Sequence, residues 1–222
     1  LTEEALLDSR NESLLLAISE DKGRYGLATA ELSSGRFTVC ELNSLTEVQA
    51  ELARLQAAEI LISESLVDEL DSFDKQLRIL PPWHFELETA QRRLCDHFQI
   101  QDLKGFGCDD LDLAIIAAGC LLNYAQETHR TALPHIRGLR LEKTSDSIRL
   151  DPQSRRNLEL ETNLSGGREH TLLSIVDKTV TPMGARLIRR WLLRPLRHHD
   201  VLIQRQQVIA QFLDTQSAEA LQ

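Results

Sequence analysis

The sequence predicts two units of different class, an α/β unit with helices flanking a mixed sheet, then an all-α unit. Three observations carry this reading. Three short apolar runs joined by tight turns open the chain, helix-then-strand alternation follows, and apolar spacings of three and four residues dominate the rest. A length of 222 residues sits between one average domain and two. We therefore place the boundary after Pro134, giving units 1–134 and 135–222.

Residues 14–19 form the first apolar run, and Asp21-Lys22-Gly23 supplies a turn. Residues 25–32 are small and apolar, and Ser33-Ser34-Gly35 turns the chain again. Residues 36–41 then alternate, with Phe37 and Val39 on one face and Arg36, Thr38 and Cys40 on the other. Together these read as a β-meander. Ser44 with Glu47 three positions later is a capping box that opens an amphipathic helix carrying Leu45, Val48, Leu52 and Leu55. Residues 59–63 (EILIS) read as a buried strand, which a helical crossover allows to run parallel to an earlier one. A short helix around 66–70 and a strand at 76–79 follow, and Pro81-Pro82 ends that strand because proline cannot donate to the ladder. Antiparallel pairing first and parallel pairing after suggest a mixed sheet close to a ribonuclease-H-like arrangement.

From Phe85 the periodicity turns helical. Leu87, Ala90, Leu94 and Phe98 share one face, while Arg92, Arg93, Asp96 and His97 face away. Lys104-Gly105-Phe106-Gly107 is a linker turn, Asp109 and Asp110 start a long helix to about Glu127, and Pro134 closes it. In the second unit a short strand at 147–150 precedes Asp151-Pro152, the cap and first-turn proline of a helix to about Leu160. Residues 170–191 are helical apart from Thr181-Pro182, where the missing proline amide forces a kink or break. Asp200 is expected to cap a last helix through Phe212.

Composition excludes several classes. With 42% apolar and 27% charged residues the chain is neither disordered nor collagen-like. Its longest apolar run, residues 113–122, is about half of what a membrane-spanning helix needs, so no membrane association is expected. No basic, apolar leader is present, and the chain opens on Leu1 with Met183 as its single methionine, so it reads as an excerpt of a longer cytosolic polypeptide. Cys40, Cys95, Cys108 and Cys120 lack metal-ligand spacing and read as reduced thiols.

The net charge of −9 is unevenly distributed. Residues 1–134 carry 11 basic and 24 acidic side chains, a net of −13, whereas residues 135–222 carry 14 and 10, a net of +4. The first unit is thus repelled by a phosphate backbone, whose affinity for proteins comes from cations displacing counterions. In the second, Arg186, Arg189, Arg190, Arg194 and Arg197 recur without an acid among them, which fits a solvated helix face or an acidic contact.

No catalytic constellation is visible. A phosphate-binding loop needs a Gly-Lys pair, and the sequence contains none. Gly105-Phe106-Gly107 lies between helices, so it is a turn and not a dinucleotide fingerprint. Ribonuclease-H-like nucleases hold two Mg²⁺ ions with clustered carboxylates, one of them inside the first strand; residues 14–19 hold no acid, and Glu31 is alone. His198-His199-Asp200 cannot face one metal, because neighbours on a helix diverge by about 100°. Ser165-Gly166-Gly167 lacks the earlier glycine of a nucleophile elbow.

Several blocks of the second unit carry a family resemblance. They are SIRLD at 147–151, RNLEL at 156–160, the run from Thr171 through TPMGARLIRRWLLRPL at 181–196, and IQRQQV at 203–208. In order and spacing they resemble the core region of the MutS family, ATP-dependent proteins that recognise mismatched DNA. LSSGRF at 32–37, AAGCLLNY at 117–124 and TALPHIRGL at 131–139 resemble that family's connector domain and its junction to the core. The resemblance spans essentially the whole chain.

It implies a connector domain over 1–134 and the first part of a helical core, or lever, domain over 135–222. Family members read the mismatch with an N-terminal domain bearing a Phe-x-Glu motif and hydrolyse ATP in a C-terminal domain, and neither has an equivalent here. The resemblance therefore implies no catalytic, cofactor-binding or metal site in this chain, with ATP or ADP and Mg²⁺ belonging to the parent protein. It further implies a homodimeric parent, cytoplasmic and nucleoid-associated, that binds mismatched duplex DNA through other domains. The connector would dock a MutL-type matchmaker protein, and we place that contact on Gln91, Arg92, Arg93 and His97. Thr181, Pro182, Gly184 and Arg186 would set the angle between lever segments. Two alternatives are a metal-dependent ribonuclease-H-like nuclease, disfavoured by the missing first-strand carboxylate, and a MutS paralogue of recombination, which usually lacks the connector.

Overall fold

The computed structural model describes residues 14–214. The chain divides into two units at Glu142/Lys143, eight residues beyond the Pro134 boundary read from the sequence.

The first unit is built on a six-stranded mixed sheet of order β5-β4-β1-β2-β3-β6. Strands β1 (Leu14–Asp21), β2 (Arg24–Glu31) and β3 (Arg36–Leu42) form the antiparallel meander. Helix α1 (Leu45–Leu55) starts at Ser44, whose hydroxyl accepts from the Glu47 amide while Glu47 accepts from the Asn43 amide. It leads to β4 (Glu59–Ile62), parallel to β1, and β5 (Leu77–Ile79) adds parallel to β4. Between them lie 3-10 helices at Glu64–Leu66 and Asp68–Gln76, where the sequence predicts a short helix.

Both sheet faces are covered. One core contains Leu14, Leu16, Ile18, Leu27, Ile60 and Ile62 under α1; the other contains Ala17, Ala28, Ala30, Phe37 and Val39 under α2 (Leu87–Phe98) and α3 (Asp112–His129). The polar face assigned to residues 36–41 is therefore not a solvent face. Thr38 is buried there and shares a 2.7 Å hydrogen bond with the Thr29 hydroxyl.

Small residues fix where α3 lies. A Cβ on Gly26 of β2 would stand 2.1 Å from the Leu113 carbonyl carbon, so only glycine lets this helix seat on the sheet. Its N-terminal amides, which have no partners inside the helix, are met from another element: Glu41 of β3 accepts from Leu113 N at 3.1 Å and Ala114 N at 3.5 Å. The Ser19 hydroxyl donates to the Leu113 carbonyl at 2.6 Å. Further along, Gly119 meets Ala90 of α2, and His97 meets Gln126, so α2 and α3 run side by side in parallel. After α3, residues 130–139 return across the unit, and β6 (Arg140–Leu141) pairs parallel to β3, with Glu142 ion-paired to Arg36. That edge strand is why the unit runs past Pro134.

The second unit is helical. Helix α4 (Pro152–Asn157) is capped by Asp151, whose carboxylate accepts from Ser154 N at 2.8 Å and Ser154 Oγ at 2.6 Å; these bonds hold it below the usual carboxylate pKa. The helix stops three residues earlier than the sequence suggests, with Glu159 at φ 47° turning the chain. Helices α5 (Leu172–Val176), α6 (Pro182–Leu193) and α7 (His199–Asp214) follow. The strand expected at 147–150 is reduced to a single bridge between Ser147 and Leu196. Asp200 lies inside the first turn of α7 and not at its cap, where its charge still suits the helix dipole. Among the described residues no helix is long and apolar enough to cross a membrane.

Candidate functional site

Helix α2 buries Ala90 and Leu94, as its period requires, and turns Arg92 outward. The other three candidate residues are not simply solvated. Gln91 and Arg93 are half-buried. His97 does not face away, as the helical period suggests: one ring nitrogen meets the Ile136 carbonyl at 2.9 Å and the other meets Gln126 Nε2 at 3.2 Å. The neutral tautomer with Nε2–H donating to the carbonyl and Nδ1 accepting from the amide satisfies both bonds. His97 is thus a clip that ties residues 133–137 to α2 and α3.

Beside this clip lies an open groove of about 670 Å³, lined by Arg93, Asp96, Phe98, Pro134, Ile136 and Arg137 among others. Its floor is rigid. Ile136 is buried, and Phe98 packs edge-on against both His97 and Phe106, with ring centroids 4.9 and 5.1 Å away. Arg137 also lines this groove, and the sequence reading does not name it. It belongs to a loop that no periodicity connects to α2, and only the cations following α3 hint at it.

The thiols beneath this region are inert. Burial pushes the Cys120 thiol up to about 12 and the Cys108 thiol to about 11, so neither supplies a thiolate nucleophile near neutral pH. Glu31, the lone acid of the meander, is buried and accepts from the Ser34 hydroxyl at 2.7 Å and the Ser33 hydroxyl at 3.3 Å, which closes the β2–β3 turn. Among the described residues no three His, Cys, Asp or Glu side chains are grouped as a metal site would require.

In the second unit the structure reassigns the Thr181-Pro182 step. Helicity breaks over residues 177–181; Thr181 caps α6 by accepting from Gly184 N at 3.1 Å, and Pro182 occupies its first turn. An amide there has no intrahelical partner, so proline costs no hydrogen bond, and the break expected from sequence falls just before it. Asp177 holds the break by accepting from the Thr179 amide and hydroxyl. Gly184 is set by packing, since a Cβ would stand 3.1 Å from Thr179 Cβ, and Arg186 is half-buried and engaged. The arginine run is largely committed to structure. Arg189 grips Glu161 through two bonds of 3.0 and 3.2 Å, and Arg194 reaches Ser147 Oγ at 3.1 Å and the Lys143 carbonyl at 3.2 Å. His198 lies 3.5 Å from Asp146, and Arg205 stacks over Trp191 at 4.2 Å.

A mixed α/β unit with a side groove, followed by a helical unit, defines a two-domain chain. Two family models match it, MutS domain II over residues 13–137 and MutS domain III over residues 153–222. The chain belongs to the MutS family of DNA mismatch-repair proteins and carries its domains II and III.

Proposed function

We propose that these two domains act as the non-catalytic connector and lever of a mismatch-recognition ATPase. In this reading ATP or ADP with Mg²⁺, and the mismatched duplex, are bound by other domains of a homodimeric parent working at the nucleoid in the cytoplasm. The connector passes displacement on as one body and docks a MutL-type protein. The helices of the second unit, three of them started by their own side-chain caps at Asp151, Thr171 and Thr181, give discrete joints at which nucleotide-driven movement can be taken up.

The observation that carries the docking part is the surface at the C-terminal half of α2, where exposed Arg92 and half-buried Arg93 adjoin a preformed groove with an apolar floor. A rigid concave surface with convergent polar groups is what a protein partner uses without ordering costs. The test is surface plasmon resonance of the full-length parent against its MutL-type partner. An Arg92→Glu/Arg93→Glu variant is expected to bind at least tenfold more weakly, while Arg24→Glu, at the exposed start of β2, binds as the parent does. Unchanged affinity in the double variant overturns the assignment.

A further inference from the structure

We infer that the groove beside α2 receives an extended acidic peptide segment of a partner protein, with acids spaced around one apolar side chain. The inference rests on the docking reading above and specifies the chemistry of what docks.

The first argument is charge left over where it is least expected. Residues 1–134 hold more than twice as many acids as bases, yet Arg93 and Arg137 line one groove with no carboxylate within ion-pairing distance among the described residues. Three other arginines of the unit are paired, Arg36 with Glu142, Arg54 with Glu51 and Arg78 with Glu59. A guanidinium offers a fixed fork of donors matched to a carboxylate, so two unpaired forks in one concavity fit two separated carboxylates.

The second argument is reach. At physiological salt, charges act over a Debye length of about 8 Å. A short segment seated in the groove meets Arg93 and Arg137 first, whereas a duplex spans far enough to meet the domain's overall negative field. Asp96, also in the lining, penalises a continuous run of negative charge and favours spaced acids. The third argument is shape. Phe98, Pro134 and Ile136 give an apolar floor, and the exposed Gln99, at φ 55° beyond the end of α2, adds amide groups suited to an extended backbone. His97 and Gln126 are bonded to each other and act as walls. The wall is built before the ligand arrives.

The test uses the full-length protein and fluorescence anisotropy. The probe is a labelled nine-residue peptide with glutamates at alternate positions around a central leucine. Comparators carry lysine for glutamate or serine for leucine, and oligothymidylate of equal charge serves as competitor. Saturable binding of the acidic leucine peptide is expected, at least tenfold weaker for the lysine peptide and several-fold weaker for the serine peptide. Arg93→Glu/Arg137→Glu should lose at least tenfold, and Arg137→Gln, an exposed site that leaves folding intact, at least threefold. No saturable binding, equal binding by both variants, or equally tight competition by oligothymidylate overturns the inference. Partner docking is measured on the same proteins. Peptide binding lost while docking persists sinks the docking reading alone; docking lost in the α2 variants with no peptide binding to the parent sinks this inference alone.

Discussion

Replacing Gly26 with alanine tests the close seating of α3 on the sheet. The new methyl would lie 2.1 Å from the Leu113 carbonyl carbon, 2.2 Å from its oxygen and 2.5 Å from Ala114 N, all backbone atoms that no rotamer change can move aside. The first turn of α3 must lift. Overpacking alone costs about 1–3 kcal/mol, and the lift also stretches the hydrogen bonds of the charged Glu41, worth about 1.5–3 kcal/mol. A loss of about 2.5–6 kcal/mol follows, which for a unit of this size lowers the melting temperature by roughly 5–25 °C. Differential scanning calorimetry on the chain measures it. Gly105→Ala is the control: nothing lies within 4 Å of the added Cβ, so it should melt as the parent does. A Gly26→Ala protein melting within about 3 °C of the parent refutes the seating argument.

Three further outcomes follow from the same structure. Gly119→Ala should destabilise comparably, and adding Ala90→Gly should rescue it only partly, because removing the Ala90 Cβ at 2.4 Å leaves its Cα at 2.5 Å; chemical denaturation of the three variants decides. Because burial raises the Cys120 and Cys108 thiols to about 12 and 11, the folded chain holds those protons more tightly than the unfolded chain. Stability should therefore be insensitive to these groups below pH 9 and fall as the pH rises from 9 towards 12, with a shallower fall in Cys120→Ala when denaturation is repeated across that range. Pro182→Ala should cost under about 1 kcal/mol and leave residues 177–181 non-helical; amide exchange protection across the step would contradict the role given to Asp177 and Thr181.

The parts of the fold that were legible in sequence are those written in local code. Turn residues set the meander, Ser44 and Glu47 start α1, and Asp151-Pro152 and Thr181-Pro182 start α4 and α6. Long-range agreements were not legible. Glu41 capping a helix 72 positions later leaves no periodic trace, and a two-residue strand such as β6 is too short to show alternation. His97 falls on the polar side of α2 by period, and only the return of residues 133–137 over that side half-buries it. Of the four candidate residues only Arg92 is as exposed as the helical period suggests, and the same return of residues 133–137 brings Arg137 beside them without a trace in the sequence pattern.

Where α3 approaches the sheet at Gly26, and α2 at Gly119, the nearest facing atoms are backbone and the Ala90 methyl, with no long side chain at either point to re-sort and absorb a shove. Methyl groups and bare backbone offer no alternative fit a fraction of an ångström away. Under a load these two contacts therefore have little room to give, as in a masonry block and unlike a cushion.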